Sequence, residues 1–216
     1  VDARLPLMAR FAAHHDVCAF GSDARVRDRF SSTGFSFHTY PLDRRVRPWT
    51  DVRSVLHLQK AFTALRPDIV QAFDTKPGVF AAIAARRAGV PIVVSTITGL
   101  GSLYSANDLR TRMLRAVYQP LQRLAARSAN ALVFQNHDDR RELVAAGVVP
   151  VEKTAVILGS GIDTTTFSPA SVPADARNLV RDELGIPRDA VVVTMVSRVT
   201  ASKGVPDFAA AARAVT

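Results

Sequence analysis

Short apolar runs rich in β-branched residues alternate with longer amphipathic stretches along this chain. Such runs predict strands, and the stretches between them predict helices because their apolar residues recur at helical spacing. Several runs are apolar without strict alternation, which is typical of strands covered by helices on both faces. We therefore predict an α/β fold built on a doubly wound, mostly parallel sheet. The predicted strands cover residues 16–20, 36–40, 69–72, 92–98, 131–135, 154–158 and 191–196.

The predicted helices cover residues 1–14, 51–65, 78–88 and 109–129. The second helix stops at Arg66-Pro67 and the third at Gly89, because proline and glycine are the usual C-terminal stops. The fourth contains Pro120, which kinks the helix or divides it in two.

A domain boundary is predicted at residues 168–187, where three prolines and several short polar residues precede a new strand and helix. This composition is typical of an interdomain linker. Residues 1–167 then form an N-terminal domain, and residues 188–216 form the start of a C-terminal domain that is too short to fold alone.

Charge and composition narrow the classes of partner. The 216 residues are 48% hydrophobic and carry a net charge of +9, which favours nucleic acid, an anionic membrane surface or a phosphorylated substrate. The single cysteine, Cys18, excludes an internal disulfide. No stretch approaches the roughly 20 apolar residues that span a bilayer, so any membrane contact is predicted to be peripheral.

A first candidate site is the segment Gly99-Leu100-Gly101-Ser102, directly after a predicted strand. Glycines let the backbone approach a ligand, and ligands bind at the carboxyl edge of parallel sheets. An ordinary strand-to-helix turn explains the same pattern equally well. The dinucleotide fingerprint is excluded because its third glycine is absent.

A second candidate site is the loop that contains Arg198, Lys203 and Gly204, between a predicted strand and a predicted helix. Arginine forks onto phosphate oxygens, lysine adds a point charge, and the helix start adds backbone amides. Outside this context, an arginine and a lysine five residues apart are more often solvated surface charges.

The fourth predicted helix is basic and amphipathic. Its apolar residues are Leu109, Met113, Leu114, Val117, Leu121 and Leu124, and its arginines are Arg110, Arg112, Arg115, Arg123 and Arg127. Such a helix can lie on an anionic membrane. The commoner explanation, which we favour, is a covering helix that buries its apolar residues in the core.

Metal and hydrolytic sites are not indicated. The five histidines have no partner at the spacing of metal ligands, and no nucleophile elbow occurs. We expect no bound metal and no cofactor.

Several phrases occur in the order found in one known family, which the chain resembles: family 4 glycosyltransferases of the GT-B fold, particularly bacterial enzymes that build capsule, O-antigen or other lipid-linked glycans. These phrases lie at residues 66–70, 76–78, 81–91, 96–102, 134–139, 159–163 with 167–169, and 197–198 with 203–204.

The resemblance implies two Rossmann-like domains that face each other across a cleft, the first on the acceptor side and the second binding the donor. It implies transfer with retention of anomeric configuration and without a metal. At matching positions, Arg198 and Lys203 would stabilise the leaving diphosphate of the donor. The cleft residues would be Lys76, Thr98, Gly99, Gly101, Ser102 and Gly204.

Two departures from the family pattern modify this expectation. Thr98 stands where many relatives have histidine, which favours the relatives that transfer N-acetylhexosamine. The family's first strand and its paired glutamates have no counterpart in residues 1–216, so we expect this chain to be inactive by itself.

The predicted function is therefore a retaining glycosyltransferase, either a hexosyltransferase or an N-acetylhexosaminyltransferase, in cell-surface polysaccharide synthesis. Its donor would be a UDP- or GDP-sugar and its acceptor a polyprenyl-diphosphate-linked or other glycan. We expect a cytoplasmic protein, peripheral on the inner face of the cell membrane. The alternatives are a GT-B-fold sugar-nucleotide epimerase and a non-catalytic nucleotide- or glycan-binding module. Nucleic acid is not expected as a partner, because no aromatic residues interleave with the basic ones.

Overall fold

The computed structural model describes residues 4–43, 47–101, 104 and 108–215, apart from the side chains of Arg110 and Ser202. The chain divides into two compact units, residues 1–161 and residues 162–216. Six parallel strands lie in the described part of the first unit, as predicted, and the predicted α/β fold class is confirmed. The strands are β1 (Cys18–Gly21), β2 (Ser36–Thr39), β3 (Ile69–Phe73), β4 (Ile92–Ile97), β5 (Ala131–Phe134) and β6 (Thr154–Val156).

Strand pairing forms two parallel groups in the described chain. β1 pairs with β2, and the remaining strands form a sheet in the order β3-β4-β5-β6. In that sheet Phe73 of β3 lies opposite Thr96 of β4, and Ile97 of β4 lies opposite Phe134 of β5. Because all four strands run in the same direction, the segments that follow them meet at one edge.

The helices are α1 (Leu5–Ala12), α2 (Arg27–Ser31), α3 (Pro48–Leu65), α4 (Thr75–Arg87), α5 (Leu109–Ser128), α6 (His137–Ala145), α7 (Ala176–Glu183) and α8 (Val205–Val215). Helix α3 ends as predicted, with Arg66 in the left-handed conformation as its C-cap. Helix α5 runs unbroken across Pro120, so the predicted alternative of two helices is wrong. Proline removes one backbone hydrogen bond, and the other turns of this 20-residue helix still hold it together.

The main core lies where α4 packs against the sheet. Helix α4 contacts β3 and β4 as well as α3 and α5. Its buried residues are mostly small: Gly78, Val79, Phe80, Ala81, Ala82, Ala84 and Ala85. Small side chains let the neighbouring backbones approach closely, so α4 rigidly connects the end of β3 to the rest of the core.

Two predictions made from the sequence are wrong, one of a strand and one of which residues are buried. Residues 191–196 form no strand in the described chain, and Val191 and Val196 are exposed. A strand requires hydrogen bonds to a neighbouring strand, and a run of valines supplies only the propensity. The apolar side chains of α5 are exposed too, whereas Gln122, Ala125, Ala126 and Ala129 of the same segment are buried. The predicted covering role of the large apolar residues is therefore wrong: α5 packs through its small residues.

Candidate functional site

The segments after β3 and β4 meet at the carboxyl edge of the sheet. Phe73 and Thr96 are paired, which brings Asp74 next to the end of β4. The Asp74 backbone N–H donates to the Thr96 carbonyl at 3.0 Å, and the Thr98 hydroxyl donates to Asp74 Oδ1. An exposed carboxylate and a hydroxyl group are thus held together at the edge where parallel sheets bind ligands.

Asp74 has an unusual backbone conformation, with φ 73° and ψ 162°. Glycine is nearly the only residue that adopts this region readily, because a side chain there crowds the backbone. Hydrogen bonds on both sides hold the residue in place, since its carbonyl also accepts from the Gly78 N–H at 3.0 Å. Strained residues of this kind cluster at functional sites, and this makes Asp74 a candidate.

Sequence reasoning missed Asp74. The signal that was available is its position, directly after an apolar strand and in front of a helix. The positive φ angle and the partner at Thr98 appear only in the structure.

The predicted glycine loop begins beside Asp74. The Thr75 hydroxyl donates to the Gly99 carbonyl at 2.9 Å, which joins this loop to the first turn of α4. A side chain added at Gly99 would meet no atom of the described residues within 4 Å, so this part of the chain leaves space in front of the loop. Gly101 has a φ of 65°, which favours glycine. The structure thus brings Thr98 and Gly99 together with Asp74, while Ser102 lies outside the described residues.

Tyr40 is a buried residue whose ionisation responds to this site. Burial raises its pKa to about 12, and the negative charge of Asp74 adds to the effect. The phenol therefore stays neutral at physiological pH. It lies in the same core cluster as Val70 and Ala72 of β3.

Lys76 contacts the chain's own residues behind the edge. Its Nζ lies 2.7 Å from Asp51 Oδ1 of α3 and donates to the Asp43 carbonyl at 2.6 Å. The Lys76 and Asp51 side chains are each 16% exposed. These contacts tie the start of α4 to α3. The predicted role of Lys76 in the cleft stays a prediction.

The same edge continues past β5 and β6. The Gln135 side-chain amide donates to the Ser160 hydroxyl at 2.8 Å, which joins the ends of these two strands. Asn136 caps α6 by accepting the Asp139 N–H at 2.7 Å. The edge therefore carries amide and hydroxyl groups after β5 and β6 in addition to the Asp74 carboxylate after β3. Such groups are suited to binding the hydroxyl groups of a sugar.

The predicted phosphate loop lies in the second unit. A short 3₁₀ turn, Ala201–Lys203, is followed by Gly204 with a φ of 75° and then by α8. The side chains of Arg198 and Lys203 are both exposed. The loop thus has the cations and the following helix that anion binding requires. The donor-binding roles of Arg198, Lys203 and Gly204 stay predictions.

Clusters of metal-binding side chains and membrane-spanning helices are both absent from the described residues. No group of three or more His, Cys, Asp or Glu side chains in this part of the chain could hold a metal ion. Among the described helices, none is long and apolar enough to cross a membrane.

Residues 4–158 match a protein family described as the glycosyl transferase 4-like domain. The chain is 30% identical to the UDP-Gal:alpha-D-GlcNAc-diphosphoundecaprenol alpha-1,3-galactosyltransferase of Escherichia coli. The alignment spans 178 residues and covers 82% of this chain and 44% of that protein. The chain is also 26% identical to the N,N'-diacetylbacillosaminyl-diphospho-undecaprenol alpha-1,3-N-acetylgalactosaminyltransferase of Campylobacter jejuni. That alignment spans 163 residues and covers 76% of this chain and 43% of that protein.

A solved structure has the same fold. The glycosyltransferase from Rickettsia africae superimposes with a TM-score of 0.70 at 13% identity, over 94% of this chain and 50% of that one. The chain thus spans less than half the length of the two curated relatives and half the length of this structure.

Proposed function

Because the chain belongs to the glycosyl transferase 4-like family, as its motif order predicted, we propose that it forms the acceptor-side part of a sugar-transferring enzyme. The enzyme moves a sugar from a nucleotide-sugar donor to a glycan on a polyprenyl diphosphate. The 30% identity to an enzyme that acts on a diphosphoundecaprenol-linked sugar carries this proposal. The polar edge beside Asp74 supports the acceptor role, because sugar hydroxyls need paired donors and acceptors.

Asp74 and Thr98 bind the acceptor sugar in this proposal. Since the Thr98 hydroxyl donates to Oδ1 of Asp74, the second carboxylate oxygen can accept hydrogen bonds from sugar hydroxyls. A hydrogen bond to a charged acceptor contributes about 1.5–3 kcal/mol, which suffices to orient a hydroxyl for reaction. The space that the described residues leave in front of Gly99 gives room for the ring.

Arg198 and Lys203 act on the donor in this proposal. The departing nucleotide diphosphate gains negative charge as the glycosidic bond breaks, and two cations near a helix start stabilise that charge without a metal. Transfer retains the anomeric configuration. UDP is the proposed nucleotide because the name of the Escherichia coli relative specifies UDP-galactose.

The transferred sugar is galactose or N-acetylgalactosamine in this proposal. The two relatives are named for these two sugars, and both are named for alpha-1,3 linkages. The threonine at position 98, in place of histidine, favours the N-acetylated sugar.

The test uses the product of the complete coding sequence, radiolabelled UDP-galactose or UDP-N-acetylgalactosamine, and polyprenyl-diphosphate-linked N-acetylglucosamine. We expect labelled lipid product. Arg198→Ala and Lys203→Ala should each lower kcat by about a hundredfold, the usual effect of removing a group that stabilises transition-state charge. Asp74→Asn should raise the KM for the acceptor about tenfold with little effect on the KM for the donor.

Asp68→Asn is the matched control for Asp74→Asn, because Asp68 is an exposed aspartate that precedes β3 at its opposite end. It should leave both KM values unchanged. Absence of labelled lipid with every UDP- and GDP-sugar would refute the transferase proposal. Conversion of the nucleotide sugar without acceptor would support an epimerase instead.

A further inference from the structure

Arg4, directly before α1, lies over an aromatic ring at the edge of the sheet. Its Cζ atom is 4.1 Å from the centroid of the Phe73 ring. Phe73 is the last residue of β3, and Asp74 follows it directly in the chain. Since the candidate site lies where β3 and β4 end, the contact brings a cation from the start of α1 to the edge that carries this site.

The Phe73 ring fixes the position of the Arg4 guanidinium group. Val70 and Ala72 of β3 are buried in the main core, so Phe73 lies on the opposite face of the strand. Arginine is attracted to the face of an aromatic ring, and this contact leaves its N–H groups available as hydrogen-bond donors. The ring therefore holds the positive charge in place without occupying its donors.

The Arg4 side chain has no acceptor of its own in the described chain. It forms no hydrogen bond and no ion pair with a described residue, and it does not cap α1. Asp74 is close in sequence to the ring that Arg4 contacts, but its Oδ1 accepts from Thr98 instead. A guanidinium group has five N–H donors, and Arg4 is only partly exposed to water. A cation held in this way at a ligand-binding edge indicates an anionic ligand.

The edge thus carries two kinds of binding group. Asp74 and Thr98 offer a carboxylate and a hydroxyl group, and Arg4 offers a cation. A free sugar has only hydroxyl groups to match the first kind. A glycosyl phosphate has hydroxyl groups on its ring and an anionic phosphate on its anomeric carbon, and arginine matches phosphate oxygens with a fork of two N–H groups. The complete set therefore fits a glycosyl phosphate better than a free sugar.

We propose that Arg4 binds the phosphate group joined to the acceptor sugar, while Asp74 and Thr98 bind the hydroxyl groups of that sugar. Phe73 is a positioning residue that holds the guanidinium group at the edge. Arg4 thereby makes the site select a phosphate-linked sugar over a free glycan. This inference rests on the proposed function, in which the acceptor is linked to a diphosphate, but it concerns binding and can be measured without sugar transfer.

The experiment measures dissociation constants of the 216-residue chain by ligand-observed NMR. The probes are N-acetylglucosamine 1-phosphate, N-acetylglucosamine, inorganic phosphate and UDP. We expect the phosphorylated sugar to bind about ten- to hundredfold more tightly than the free sugar, the usual contribution of a hydrogen bond to a charged group. Arg4→Gln should remove most of this difference. Arg4→Lys should keep part of it, because lysine retains the charge and loses the fork.

Two further variants separate the phosphate contact from the sugar contact. Phe73→Leu should weaken binding of the phosphorylated sugar about two- to fivefold, because it removes the attraction between the ring and Arg4. It should leave the affinity for the free sugar unchanged, which a merely structural role of the ring would not predict. Asp74→Asn should weaken binding of both sugars by the same factor, because it alters a contact with the hydroxyl groups.

Arg10→Gln is the matched control for Arg4→Gln, because Arg10 is an exposed arginine in the last turn of the same helix. It should change none of the dissociation constants. UDP distinguishes the two sources of phosphate, since the donor also contains a diphosphate, and Arg4→Gln should leave the affinity for UDP unchanged. Circular dichroism verifies that each variant is folded. The two Arg4 variants keep the test decisive if Phe73→Leu does not fold.

Four results would overturn the inference. The first is a wild-type chain with no preference for the phosphorylated sugar, and the second is an equal loss of that preference in Arg10→Gln. The third is a loss of UDP affinity in Arg4→Gln, which would assign the cation to the donor. The fourth is Arg4-dependent binding of inorganic phosphate as tight as that of the phosphorylated sugar, which would show a general anion site.

The inference and the proposed function can fail separately. A preference for the phosphorylated sugar that depends on Arg4, in a protein that transfers no sugar, would support the inference and count against the proposed function alone. Sugar transfer by the product of the complete coding sequence, with an unchanged preference in Arg4→Gln, would overturn the inference alone.

Discussion

The strained backbone of Asp74 leads to a prediction that inverts the usual ranking of alanine and glycine. Replacement of Asp74 by either residue removes the carboxylate and its hydrogen bond with Thr98, so that loss cancels in the comparison. At an ordinary position alanine is more stable than glycine by about 0.5–1 kcal/mol, because glycine has more freedom in the unfolded chain. At φ 73° and ψ 162° alanine keeps the strain, and glycine is relieved of it.

The size of the effect follows from these two contributions. A non-glycine residue in this region costs about 1–3 kcal/mol. Subtracting the ordinary preference for alanine leaves Asp74→Gly more stable than Asp74→Ala by about 1 kcal/mol. For a chain of this size the difference corresponds to about 2–4 °C in Tm.

The assay is urea unfolding followed by far-UV circular dichroism, with the free energy of unfolding compared at equal m values. Asp68→Gly and Asp68→Ala are the control pair. Among the described non-glycine residues, positive φ angles occur at Arg66 and Asp74, so the backbone of Asp68 is not strained in this way. In that pair alanine should be the more stable. If Asp74→Ala equals or exceeds Asp74→Gly in stability, the claim of backbone strain at this site is refuted.

Three further predictions concern stability. Arg66→Gly should raise the free energy of unfolding by about 0.5 kcal/mol, because Arg66 is left-handed at φ 48°; a lower urea midpoint would contradict this. Lys76→Met should lower the free energy of unfolding by about 2 kcal/mol, because Asp51 would lose its partner at 2.7 Å. Adding Asp51→Asn to this variant should restore part of the loss, and simple additivity of the two changes would show that the pair is not coupled. Burial raises the pKa of Tyr40 to about 12 in the folded protein, whereas it is about 10 when unfolded. The free energy of unfolding should therefore fall by up to about 2–3 kcal/mol as pH rises between these two values. The Tyr40→Phe variant should show a shallower fall, and an alkaline profile equal to that of the wild type would contradict the assignment.

Much of the fold could be predicted from the sequence, because the formation of strands and helices depends on local patterns of residues. Apolar runs predicted all six strands, and Arg66-Pro67 marked the end of α3. The order of short motifs predicted the family, which the match over residues 4–158 confirms. These features depend on neighbours along the chain, where propensity and periodicity act.

The candidate site could be predicted only in part. The glycine loop after β4 was recognisable, because ligand sites occur at the carboxyl edge of parallel sheets. Asp74 was not, since its importance arises from Thr98, which lies 24 residues away along the chain and is adjacent in the structure. The motif that contains Lys76 predicted a cleft residue, and this stays a prediction. The ion pair of Lys76 with Asp51 and its hydrogen bond to the Asp43 carbonyl could be seen only in the structure, because both partners come from earlier segments of the chain.

The sequence by itself determined the six described strands of the first unit, where α3 stops, and which family the chain resembles. Only the tertiary structure decided that α5 packs through alanines and leaves its leucines exposed, that residues 191–196 pair with no described strand, and that Asp74 meets Thr98. The physical reason is that propensity and periodicity are properties of a short segment. Side-chain burial and strand pairing depend on which distant segment packs against the residue or strand, and a hydrophobic pattern does not specify that segment.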